Sequence, residues 1–62
     1  MCLSTVYAIR NEKPEPLCKN IASVRTQDGK LIFTDIMGIP TVVAAAIARI
    51  DLMDNFIWIR EK

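Results

Sequence analysis

The residue with the most chemistry to offer is Cys2. A thiol at position 2 lies one residue from a terminal amine, so its sulfur and the neighbouring nitrogens fall into five-membered chelate rings. With Met1 retained, the donors are the Met1 amine, the deprotonated Cys2 amide and the Cys2 thiolate. With Met1 removed, they are the Cys2 amine and thiolate. Either set suits nickel(II) or copper(II), which favour tetragonal nitrogen-rich sites, while the thiolate adds softness. One chain supplies too few ligands. Two chains related by a two-fold axis through that end would complete a four-coordinate site, with one metal per dimer. The thiol must ionise to bind, so affinity there depends on pH. The plainer alternative is a small apolar residue packed at a strand start, and Cys is often buried for volume alone. A third reading, thiol redox, requires a low thiol pKa at Cys2.

Cys18, the second cysteine, lies sixteen positions away, a spacing that matches no zinc or redox motif. Pairing it with Cys2 across two chains would give four thiolates and a zinc-like site; a buried small thiol at the start of a second strand is the simpler reading. The chain has no histidine. That removes the commonest general base, the commonest metal ligand and every Ser-His or Cys-His pair, which argues against an ordinary hydrolase. Asp35, Asp51 and Asp54 fit turn positions. Gly29 and Gly38 lack the spacing of a phosphate-cradling loop.

The elements that must position Cys2 read as strands. Cys2 to Arg10 alternates, with Leu3, Thr5, Tyr7 and Ile9 on one face and Cys2, Ser4, Val6 and Ala8 on the other. Asn11 to Pro16 reads as a loop, because its two prolines cannot donate to a ladder. Leu17 to Thr26 follows, with Ile21 and Val24 at opposite parity, which implies a bulge or burial on both faces. Asp28-Gly29 then predicts a tight type I′ hairpin into Lys30 to Thr34. Asp35 to Pro40 leaves the sheet. Thr41 to Asp51 contains three consecutive alanines that favour helix, but its β-branched residues and its context favour strand. After a turn at Asp51 to Asn55, a last strand runs to Arg60. The expected fold is all-β: a small five-stranded antiparallel barrel or rolled sheet, one domain over residues 1–62.

The opening Met1-Cys2-Leu3-Ser4-Thr5-Val6-Tyr7, the Asn20-Ile21-Ala22 step, the Leu31-to-Gly38 segment Leu-Ile-Phe-Thr-Asp-Ile-Met-Gly and the closing Ile47-Ala48-Arg49-Ile50-Asp51-Leu52 resemble the CooT family of small nickel-binding proteins. The resemblance covers nearly the whole chain; its most specific parts are the initial Met-Cys-Leu and the Thr34-Asp35-Ile36-Met37-Gly38 segment. It implies a homodimer binding one nickel(II) through Cys2 of each chain. It also implies a role in supplying nickel for maturation of carbon monoxide dehydrogenase, by binding and transfer rather than turnover.

Length and composition agree with a small dimer. Sixty-two residues, 52% apolar and 24% charged, will fold as one domain. So short a chain buries only about 60% of its unfolded surface, and apolar residues on both faces of several strands ask for cover from a second copy. Net charge is +1 with no run of one sign, which argues against duplex DNA as a partner. The longest apolar run, Val42 to Ala48, is far short of a bilayer span, and no signal-peptide pattern opens the chain, so a cytoplasmic location is expected. The alternative from another class is a small β-barrel RNA-binding module that stacks bases on Tyr7, Phe33, Phe56 and Trp58. Without clustered basic residues, these four read more economically as core or interface.

Overall fold

In a computed structural model the described residues are 3–61, and they form six strands with no helix. These are β1 (Ser4–Arg10), β2 (Lys13–Gln27), β3 (Lys30–Asp35), β4 (Pro40–Val43), β5 (Ala45–Asp51) and β6 (Phe56–Glu61). They make one sheet in the order β4-β3-β2-β1-β6-β5. All neighbours are antiparallel except β1 and β6, which run parallel through Thr5↔Phe56 to Ala8↔Ile59.

Two features correct the five-stranded antiparallel expectation. The segment Thr41 to Asp51 is two strands, β4 on β3 and β5 on β6, separated by Ala44 alone. Strands at opposite ends of the sheet order can be joined by one residue only if the sheet curls on itself, and β3 and β5 do come into contact. The curl delivers β5 beside the far edge, and its hairpin partner β6 then lies parallel to β1. The second correction concerns Asn11 to Pro16. Only Asn11 and Glu12 turn, both with positive φ (51° and 63°), and Pro14 and Pro16 lie inside β2 opposite Ile9 and Tyr7. Prolines are tolerated there because β3 pairs with β2 only from Ile21 onward, so this stretch of β2 has an open side where no donor is needed.

Other expectations hold. Asp28 and Gly29 both have positive φ (53° and 76°) and close the β2–β3 hairpin at Gln27↔Lys30. The parity conflict between Ile21 and Val24 resolves as a register shift between Ile21 and Ser23. Two further shifts on the β1 side, around Leu17 and around Lys19 and Asn20, bend the long β2 so that it serves two neighbours in succession. Asn20, with φ 58°, sits at the bend.

The core lies on the inner side of the curl. Val6, Ala8, Ile21, Leu31, Phe33, Ala45, Ile57 and Ile59 are buried together, with Leu17, Cys18 and Val43 packed partly against them. Alternation places Val6 and Ala8 inside and Thr5, Tyr7 and Ile9 outside. No buried side-chain polar atom among the described residues lacks a partner, so the inner side is held by apolar contact.

Candidate functional site

The chain joins the sheet at Ser4, opposite Ile21 of β2. The next residue, Thr5, donates its backbone N–H to the Asn55 carbonyl at 2.9 Å. Ile21 is itself opposite Asp35, the last residue of β3, and Ile36 N–H donates to the Asn20 carbonyl at 2.9 Å. The β3–β4 turn and the β5–β6 turn therefore flank the place where β1 begins.

Both turns are built by an aspartate, as the sequence implied. Asp35 Oδ1 accepts the backbone N–H groups of Met37 and Ile39, each at 2.9 Å. Gly38, at φ +85°, completes that turn by donating N–H to the Asp35 carbonyl at 2.9 Å. Asp51 Oδ1 accepts from Met53 and Asp54, each at 3.0 Å, and Asn55 takes a positive φ of 59°. The carboxylates are occupied in local backbone satisfaction. The turns hold up apolar side chains: Met37 is 80% exposed, Leu52 84% and Met53 93%, with Ile36 and Ile39 also exposed. Sequence reading took these two segments as turns and passed over their apolar tips.

Cys2, the predicted metal ligand, lies outside the described residues, as does any pairing of it with Cys18. Cys18 sits within β2 opposite Val6, half-buried, rather than at the strand start. Burial, and secondarily the nearby Asp35 carboxylate, push its thiol pKa up. It is thus held toward the neutral thiol, the poorer nucleophile and ligand. Among the described residues no three Cys, Asp or Glu side chains gather as a metal-holding group.

The four predicted aromatics separate. Phe33 is fully buried in the core. Tyr7, Phe56 and Trp58 gather half-buried on the outer face. Tyr7 and Phe56 meet edge-on with centroids 5.6 Å apart, Phe56 and Trp58 at 5.8 Å, and Tyr7 and Trp58 lie nearly parallel at 6.5 Å. The Arg49 guanidinium lies 4.8 Å from the Trp58 ring centre. The signal for this split was the opposite parity of Tyr7 and Val6, and of Trp58 and Ile57.

The small all-β sheet is a fold the chain shares with a known structure. The sequence model of the family described as CO dehydrogenase accessory protein CooT matches residues 1–60, and the chain belongs to that family. The fold matches the crystal structure of a candidate CooT from Carboxydothermus hydrogenoformans with a TM-score of 0.90, at 21% identity and over 98% of each chain. No curated protein matches the sequence.

Proposed function

We propose that this chain is a nickel(II)-binding accessory protein that supplies nickel for maturation of carbon monoxide dehydrogenase. It acts as a homodimer carrying one nickel ion between the Cys2 thiolates of its two copies. Nickel is cargo here: the protein binds and releases it and turns over no substrate. The observation that carries the reading is membership of the CO dehydrogenase accessory family over residues 1–60, a match that includes Cys2.

The fold supports it in two ways. Ser4, where β1 joins the sheet, lies between the two turns, and Cys2 precedes it by two positions in the sequence. The exposed Ile36, Met37, Ile39, Leu52 and Met53 rim that end, and apolar surface of this kind marks an interaction site. A second copy seated there about a two-fold axis would cover the rim and bring two chain starts together. Thiolate and nitrogen donors from both copies then give nickel(II) a four-coordinate site that a recipient can strip by ligand exchange. A cytoplasmic setting keeps the thiols reduced.

The test is an anaerobic nickel(II) titration of the reduced protein followed by ultraviolet absorption and native mass spectrometry, beside Cys2→Ser. We expect saturation at one nickel per two chains, with a thiolate-to-metal charge-transfer band that the variant lacks while keeping its fold. Equal affinity in Cys2→Ser would refute the role of Cys2.

A further inference from the structure

A second surface, remote from the two turns in its chemistry, lies on the outer face of the sheet. One row of residues crosses four strands: Arg49 opposite Trp58, Trp58 beside Tyr7, and Tyr7 opposite Pro16. Phe56 adjoins the row. Against it lies a recess of about 520 Å³ between β1 and β2, lined by Thr5, Tyr7, Pro16, Leu17, Cys18 and Lys19. The β2 register shifts near Leu17 and Lys19 open this recess, because two residues of β2 there oppose one of β1.

Charge is divided unequally between the two faces. Arg10 and its partners Glu15 and Glu61 share the strand parity of the core residues Val6, Ala8 and Ile59, so both glutamates are neutralised away from the outer face. The outer face of these four strands holds Lys19, Arg25, Arg49 and Arg60 against Asp51 alone, with Arg25 farther along β2 beyond the row. The Asp51 carboxylate already serves two turn N–H groups and Arg49. Lys19 and Arg60 have no ion-pair partner among the described residues.

We propose that this outer face binds single-stranded RNA, with bases stacking on Trp58, Tyr7 and Phe56, one base entering the recess beside Tyr7, and phosphates meeting Lys19, Arg49 and Arg60. Adjacent aromatic rings on a sheet are a sequence-tolerant platform for unpaired bases, each stack contributing about 1–3 kcal/mol in systems where it has been measured. The cations select for an anionic strand over a neutral peptide. They also oppose a second copy on this face, since a two-fold axis would set like charges around like.

Trp58 is the only tryptophan of the chain, so its fluorescence reports on this surface alone. The probe is a single-stranded oligo(U) ten-mer titrated into the full-length protein. Saturable quenching is expected, with affinity falling with salt at a log–log slope of about −2, the value for three phosphate contacts on a single strand. The double variant Lys19→Glu, Arg60→Glu should weaken binding about tenfold or more with an unchanged far-ultraviolet spectrum. Cys2→Ser, with or without nickel, should bind RNA as the native chain does, so failure of the nickel reading leaves this one standing and the reverse. The proposal is overturned by any of three results: no saturable quenching, equal quenching by an uncharged proline-rich peptide, or quenching produced by raising the protein concentration alone.

Discussion

The inner and outer faces of one curled sheet are made from alternate residues of the same strands, and they are stabilised differently. Inside, Val6, Phe33 and Ile59 are fully buried with no polar partner to satisfy. Outside, Tyr7, Phe56 and Trp58 are larger on average, yet they remain half-buried and are held by ring contacts and one guanidinium. A domain of 62 residues has little apolar area to spare. Leaving its tryptophan and tyrosine half in water forgoes part of that area, so the inner face must supply most of the stability. The inner face holds the fold; the outer face and the turn-borne rim are free to differ in chemistry because neither is needed to close the core.

The largest expected effect tests that division directly. Phe33→Ala should cost about 3–5 kcal/mol, the range for deleting a fully buried aromatic, and in so small a domain that unfolds much of the population at room temperature. Trp58→Ala removes a bigger side chain but should cost only about 1–2 kcal/mol, because a half-buried ring gains only part of its transfer free energy on folding. Urea denaturation followed by circular dichroism measures both. Equal losses would mean that the outer aromatics are a second core and would break the comparison.

Sequence alternation made the inner face legible: Val6 and Ala8 against Tyr7 and Ile9, the Asp28-Gly29 hairpin and the bulge between Ile21 and Val24 all follow from period, turn chemistry and parity. What it did not reveal was how the strands associate. The parallel pairing of β1 with β6 depends on curl, which is a property of the whole sheet. Pro14 and Pro16 looked like loop residues because proline is excluded only from strands with neighbours on both sides, and the one-sided neighbourhood of early β2 is invisible without β3's register. The site was legible in its parts. Asp35 and Asp51 were readable as turn residues, whereas the convergence of their two turns on the start of β1 needs the strand order.

A smaller effect is expected at those turns. Asp35→Ala leaves the N–H groups of Met37 and Ile39 without their acceptor and should cost about 1–2 kcal/mol, with the exposed apolar tips losing their defined placement. Asp35→Asn keeps the Oδ1 acceptor and should lose less than half as much. Denaturation midpoints of the two variants separate turn geometry from charge. If Asp35→Asn were as damaging as Asp35→Ala, the carboxylate charge rather than its hydrogen bonds would be holding the turn, and the rim would depend on electrostatics that the inner face does not use.

The smallest effect lies where the two faces meet. Cys18 packs partly against the core and also lines the outer recess, and its raised pKa comes first from burial and then from Asp35. In Cys2→Ser, where it is the sole thiol, thiolate absorbance should appear only above the ordinary value of about 8.5. Because the unfolded chain ionises first, the stability contributed by the neutral thiol is fully present below that unfolded value. It is lost as pH rises through the higher folded one. Adding Asp35→Asn should lower the folded midpoint only part of the way back, since burial is the larger cause. A midpoint at or below the ordinary thiol value would mean that Cys18 belongs to the wet outer face rather than to the core, and would make it an available nucleophile and ligand beside the recess.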